Sequence, residues 1–132
     1  MKIIYNKPPD HIYNACVEKF GVDFEQGIMF AYDGALYTKY VVPAFKLEHE
    51  RTHIKQQLEY GSADKWWEKY LSDNEFRLEQ EIEAYKAEMR WLRAHVKDRE
   101  AIAHIRHQNT IDLSSSMYGN LIPYSIAYRI LL

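Results

Sequence analysis

Two histidines four residues apart, with a glutamate directly after the first, are the part of this sequence best suited to chemistry. They form the pattern H-E-x-x-H at His49-Glu50-Arg51-Thr52-His53. On a helix, residues four apart lie on the same face, so both imidazoles can reach one metal ion. Two imidazoles and a carboxylate suit zinc and leave a fourth position for water. The pattern therefore predicts a zinc site, with Glu50 beside it as the general base.

The motif requires a helix, and local signals predict one around it. Pro43 breaks the chain before the motif and Gly61 follows it, so we expect a helix from Ala44 to Tyr60. Asp33-Gly34 separates two apolar segments and predicts a hairpin turn within residues 27–40. Because this hairpin directly precedes the motif helix, its edge is expected to align an extended peptide by strand addition.

The spacing of apolar residues predicts further helices on both sides of the motif. They are expected over residues 10–20 with Asp10 as the cap, 64–71, from Asp73 or Asn74 to about His95, 98–108 and 113–118. Gly119 and Pro123 interrupt the chain after the last of these. The elements together predict one α+β domain over residues 1–132. It is mostly helical, with a small N-terminal β-hairpin or sheet packed on the motif helix.

A third metal ligand is expected on the second long helix, because two histidines alone bind zinc poorly. The glutamates of this helix are Glu75, Glu79, Glu81, Glu83 and Glu88. Its apolar stripe consists of Leu78, Ile82, Tyr85, Met89 and Leu92. At about 100° per residue, Glu81 lies roughly 60° from the centre of that stripe, Glu79 about 100° away and Glu83 nearly opposite. Glu81 can therefore reach the core, and Glu75 and Glu88, which also border the stripe, remain alternatives.

These residues resemble the gluzincin branch of the zincin metallopeptidases. In that branch an H-E-x-x-H helix is completed by a glutamate on a downstream helix, in a segment such as Glu81-Ile82-Glu83-Ala84-Tyr85. Small bacterial and phage-associated metallopeptidases have a similar E-x-E-A-Y segment. The resemblance covers residues 45–88 and implies that Glu81 completes the zinc site with His49 and His53. Many gluzincins have an aspartate where this chain has Tyr85, and that aspartate orients a ligand histidine.

Other residues capable of chemistry have weaker patterns. Tyr118 is a candidate to donate a hydrogen bond to a tetrahedral oxyanion, and the alternative is a packed tyrosine before the turn at Gly119. His104 and His107 lack an accompanying carboxylate or cysteine pattern and are predicted to be a surface pair. Cys16 lies in an apolar-periodic segment and is predicted to be a small buried residue.

Composition sets the broad class of the protein. The chain has 132 residues, of which 47% are apolar, and a net charge of −2. This charge gives no general attraction to nucleic acid or to anionic membranes. The sequence has no apolar run long enough for a membrane span or a secretory signal. Its single cysteine agrees with a reducing compartment, so we expect a cytoplasmic protein.

The sequence therefore predicts a small zinc-dependent peptidase that acts on a protein or peptide substrate. The alternative is a non-catalytic, zinc-stabilised scaffold or interaction protein, of phage or mobile-element origin. The two differ in metal coordination, because a structural zinc site is closed by a fourth protein ligand and a catalytic site keeps one position open.

Overall fold

Six helices and three short strands make up the fold, and the computed structural model describes all 132 residues. The strands are β1 (Lys2–Ile4), β2 (Phe30–Tyr32) and β3 (Ala35–Tyr37). The helices are α1 (Asp10–Phe20), α2 (Ala44–Tyr60), α3 (Ala63–Ser72), α4 (Asn74–His95), α5 (Arg99–Leu113) and α6 (Tyr124–Ile130). The predicted class, α+β and mostly helical with a small sheet near the N-terminus, is confirmed.

Local sequence signals determine the ends of the helices that carry the motif and its partner. Helix α2 begins directly after Pro43 and ends at Gly61, which has a φ of 94°, a backbone conformation that glycine adopts at little cost. The Ser62 side chain accepts a hydrogen bond from the backbone of α3, and the Asp73 side chain does the same for α4. Short capped turns therefore join α2, α3 and α4, and α2 packs along α4.

The sheet places the hairpin beside the motif helix. Strands β2 and β3 are antiparallel and are joined by the turn at Asp33-Gly34, where both residues have positive φ. Strand β1 pairs with β3 in parallel, with Ile3 opposite Leu36. The order β1-β3-β2 leaves β2 at the edge that contacts α2. None of the helices is long and apolar enough to cross a membrane.

Three details of the sequence prediction are wrong. The side chain of Asp10 does not cap α1, because Asp10 is already the first helical residue and Pro9 precedes it. The helix predicted over residues 113–118 is absent, since α5 continues to Leu113 and only the single 3₁₀ turn Ser116–Tyr118 follows. Pro123 does not only interrupt the chain but precedes the first residue of α6, a position that tolerates proline because no helical N–H is lost there.

Two clusters of buried side chains flank the motif helix. One joins α4, α5 and α6 and contains Leu78, Tyr85, Met89, Leu92, Leu113, Tyr118, Ala127 and Leu131. The other joins α1, α3 and β2 and contains Ile12, Cys16, Phe24, Phe30, Trp66, Trp67 and Tyr70. Members of both clusters line the same cavity. Cys16 is buried as predicted, whereas His104 and His107 are exposed as predicted.

Candidate metal centre

Helix α2 brings the two motif histidines together in the interior. His49 and His53 lie one turn apart and are only 7% and 6% exposed. Their Nε2 atoms are 3.1 Å apart. Both imidazoles therefore present the same nitrogen to one point, as the spacing of the motif predicts.

Helix α4 brings Glu81 to that point. Its Oε1 atom lies 3.0 Å from Nε2 of His49 and 3.1 Å from Nε2 of His53. Three atoms that are each about 2.0–2.1 Å from a tetrahedral ion lie roughly 3.3 Å apart, so these separations fit a shared ion. The buried group of His49, His53 and Glu81 can therefore hold a metal ion.

Burial separates the five glutamates of α4 into two groups. Glu81 and Glu88 are 5% and 0% exposed, whereas Glu75, Glu79 and Glu83 are all exposed. The angular argument from the apolar stripe therefore correctly predicted that Glu79 and Glu83 point away from the core. It could not distinguish Glu75 from Glu88, which border the stripe at opposite ends of the helix.

Glu88, which the sequence left open as an alternative third ligand, is not one of the three grouped side chains but contacts His49 from the other side. Its Oε1 atom lies 3.1 Å from Nδ1 of His49 and 3.0 Å from Nζ of Lys46. The side-chain amide of Asn109 donates to its Oε2 atom at 2.6 Å. A carboxylate that binds the distal nitrogen of a ligand histidine fixes the orientation and tautomer of the ring. Glu88 thus holds His49 in the way that an aspartate does in many gluzincins, although Tyr85 stands at that aspartate's position.

The other two members of the group are held by hydrogen bonds as well. Nδ1 of His53 lies 2.8 Å from Oε1 of Gln56. The amide of Gln56 in turn donates to the backbone oxygen of Gln80 on α4, at 3.0 Å. The hydroxyl of Tyr70 on α3 donates to Oε2 of Glu81 at 2.5 Å, which leaves Oε1 directed at the histidines. Each of the three side chains is therefore oriented by a hydrogen bond at the nitrogen or oxygen that does not face the shared point.

The charges of the group favour a cation at its centre. Burial lowers the pKa of His49, but its hydrogen bonds to Glu81 and Glu88 outweigh burial and raise the pKa to about 10. Burial raises the pKa of Glu81, but His53 and His49 outweigh it and hold that pKa well below its ordinary value. These side chains thus stabilise positive charge between them. A metal ion that displaces the histidine protons would supply that charge.

Glu50 is not a member of the metal group but lines a cavity beside it. The cavity has a volume of about 290 Å³ and is lined by Glu50, His49, His53 and Glu81. Glu50 is 8% exposed, and no buried side-chain oxygen or nitrogen in the protein lacks a hydrogen-bond partner. Glu50 makes no side-chain hydrogen bond, so its carboxylate oxygens are not buried. They must be accessible from the cavity that Glu50 lines.

Tyr118 also lines this cavity, together with Tyr85. Tyr118 is 4% exposed and belongs to the core, so it is both a packed tyrosine and a wall of the cavity. The hydroxyl of Tyr85 donates to Oδ2 of Asp112 at 3.1 Å. Burial raises the pKa of both tyrosines well above its ordinary value. Both hydroxyls therefore keep their protons; Tyr85 donates its proton to Asp112, and Tyr118 remains a donor that faces the cavity.

Arg77 does not pair with Glu81, although it lies one turn before it on α4. It is 1% exposed and donates to the backbone oxygens of Met117 and Tyr70, at 2.8 and 2.5 Å. It also donates to the side chain of Asn74. These bonds connect α4 to the turn that carries Tyr118, so Arg77 fixes that wall of the cavity.

Comparisons of the chain with models of known protein families, with characterised proteins and with solved structures find no match. The resemblance to gluzincins therefore remains a prediction from the motif and the E-x-E-A-Y segment.

Proposed function

We propose that the protein is a zinc-dependent peptidase of the gluzincin type. The observation that supports this most directly is the position of Glu50, whose carboxylate faces a cavity beside a group of three metal-ligating side chains. Three protein ligands with a cavity at the fourth position are the arrangement of catalytic zinc sites. A zinc-stabilised scaffold would use a fourth protein ligand and would not require a base next to it.

The roles of the side chains follow from this geometry. His49, His53 and Glu81 would hold zinc, which acts as a Lewis acid on a carbonyl group and lowers the pKa of water. Glu50 accepts a proton from the attacking water and returns it to the leaving amine. The hydroxyl of Tyr118 is available to donate a hydrogen bond to the carbonyl oxygen as negative charge develops there, whereas the Tyr85 hydroxyl already donates its single proton to Asp112.

A cleavage screen on a complex peptide mixture tests this function and needs no named substrate. Protein loaded with one zinc per chain is expected to generate new peptide termini, and the same protein treated with a chelator is not. Zinc content is measured on protein purified without added metal. A stoichiometric zinc content without any cleavage would overturn the peptidase and support the scaffold.

Glu81→Gln is expected to weaken zinc affinity roughly 100-fold or more, because it removes a ligand and not only an outer contact. Glu83→Gln and Glu79→Gln are matched controls on the same helix and should leave the affinity unchanged, since both side chains are exposed. Chelator competition measures the affinity. Equal losses at Glu81 and Glu83 would contradict the assignment of the ligand.

Glu88→Gln is expected to lower zinc affinity about 10- to 100-fold through the loss of a charged partner for His49. Because Glu88 does not touch the ion, the cobalt-substituted protein should keep a tetrahedral absorption spectrum with shifted bands. Glu75→Gln, which is exposed near the start of the same helix, serves as the control. An unchanged affinity in Glu88→Gln would mean that this contact does not support the metal group.

A further inference from the structure

The two carboxylate oxygens of Glu81 have different partners. Oε1 lies 3.0 Å from Nε2 of His49 and 3.1 Å from Nε2 of His53. Oε2 accepts a hydrogen bond from the hydroxyl of Tyr70 at 2.5 Å. This is the only hydrogen bond that Oε2 makes within the protein. A tyrosine hydroxyl has a single proton to donate, and in Tyr70 that proton is directed at Glu81.

Tyr70 lies on α3, outside both sequence motifs, and is held from three sides. Its ring stacks on Trp66 with the centroids 4.8 Å apart, and it meets Trp67 edge-on at 5.1 Å. Arg77 donates a hydrogen bond to its backbone oxygen at 2.5 Å. Tyr70 is only 7% exposed. These contacts fix the hydroxyl at the end of the Glu81 carboxylate.

The number of glutamate oxygens that bind an ion matters at this site. A carboxylate can bind a metal ion through one oxygen or through both. A second oxygen from Glu81 would take the position that a catalytic zinc site keeps open. Because Oε2 is bonded to Tyr70, only Oε1 is free to bind an ion. The hydrogen bond thus acts against binding through both oxygens.

The other orienting contacts of the metal group have no such effect. Glu88 bonds to Nδ1 of His49, and this contact orients an imidazole ring. Gln56 bonds to Nδ1 of His53 in the same way. An imidazole presents only one nitrogen to a given ion, whether or not its ring is oriented. Glu81 is therefore the only one of the three ligands that could fill two positions.

We propose that Tyr70 is a positioning residue that restricts Glu81 to one-oxygen coordination and so keeps the fourth zinc position open to ligands from the cavity. The proposal rests on the proposed function. It also separates two properties of the site, metal affinity and access to the metal. Without the Tyr70 hydroxyl, Oε2 is free to bind the ion, so the ion stays in place while the open position is lost.

Tyr70→Phe tests this role, because it removes the hydroxyl and keeps the ring that packs on Trp66. Mercaptoethanol is the probe of the open position, and its binding to the cobalt-substituted protein is followed by the sulfur-to-cobalt absorption band. The variant should bind mercaptoethanol about tenfold or more weakly than the wild type. Its zinc affinity, measured by chelator competition, should fall less than the roughly 10- to 100-fold that is usual for the loss of an outer contact, since the second glutamate oxygen compensates.

Tyr32→Phe is the matched control. The hydroxyl of Tyr32 also donates to a carboxylate, Oδ1 of Asp64 at 2.9 Å, but neither residue belongs to the metal group. This variant should leave both affinities unchanged. Wild-type affinity for mercaptoethanol in Tyr70→Phe would overturn the proposal. So would a loss of zinc affinity of about tenfold or more with unchanged thiol binding, because Tyr70 would then only support the ligand.

A crystal structure of the zinc-loaded wild type tests the same point without any substitution. One oxygen of Glu81 should lie about 2.0–2.2 Å from zinc, and the other should remain bonded to Tyr70. Two Glu81 oxygens at about that distance would overturn the proposal. This result is decisive even when Tyr70→Phe does not fold.

The two proposals fail in different ways. A wild-type protein that binds zinc and mercaptoethanol but cleaves no peptide would overturn the peptidase and leave the role of Tyr70. Zinc-dependent cleavage by the wild type, together with unchanged thiol binding in Tyr70→Phe, would overturn the role of Tyr70 and leave the peptidase.

Discussion

Glu50→Gln is expected to lower the rate of peptide cleavage by about 10²–10⁴-fold, the usual contribution of a positioned general base. The amide has nearly the same shape as the carboxylate but cannot accept the proton of the attacking water. Glu50 is not a member of the metal group, so zinc content should stay at about one per chain. The thermal midpoint should also remain near that of the wild type, since Glu50 makes no bond that the amide would lose.

The measurement is the rate on any peptide recovered from the cleavage screen, with zinc content and thermal unfolding determined on the same preparation. Glu59→Gln is the matched control, because Glu59 is an exposed glutamate on the same helix. Full activity in Glu50→Gln would eliminate Glu50 as the base. A loss of zinc in that variant would instead make Glu50 a ligand, contrary to the geometry.

The double change His49→Ala and His53→Ala is expected to abolish zinc binding. It removes two of the three ligand atoms and leaves a lone carboxylate, which binds zinc too weakly to retain it through purification. An ion that binds only the folded chain, at 100 times its dissociation constant, stabilises a protein by about 2.7 kcal/mol. For a chain of this size that corresponds to a rise in thermal midpoint of roughly 10 °C.

Chelation should therefore lower the thermal midpoint of the wild type and leave that of the double variant unchanged. This comparison separates the loss of metal from any effect of the substitutions on packing. His104→Ala with His107→Ala is the control, since this second histidine pair is exposed. Stoichiometric zinc in the His49 and His53 double variant would refute the site.

The sequence was sufficient for the elements whose limits depend on local chemistry. Helix α2 has the predicted bounds because Pro43 and Gly61 act on their immediate neighbours. Helix α4 is capped by Asp73, one of the two residues predicted for that position, the other being Asn74. The convergence of His49 and His53 follows from helical spacing alone, and the approach of Glu81 follows from the apolar face of α4.

The remaining features depend on contacts between distant segments. Strand β1 has only three residues and forms because β3 is available as a parallel partner, which no local pattern indicates. Glu88 and Glu75 border the same stripe, but only Glu88 lies where α2 and α5 present Lys46, His49 and Asn109. The bond between Gln57 and the β2 edge likewise requires the packing of the sheet on α2. That packing buries the edge, so the expectation that it aligns an extended peptide by strand addition is wrong.

The two ligand histidines and Glu81 are separated by 32 and 28 residues along the chain. A flexible loop of that length loses about 3 kcal/mol of chain entropy when its ends are brought together. An ion held between α2 and α4 would therefore act as a reversible cross-link in a chain whose single cysteine cannot form an internal disulfide. Unlike a disulfide, this cross-link would open when metal is scarce, so the supply of zinc would also determine how long the chain resists degradation.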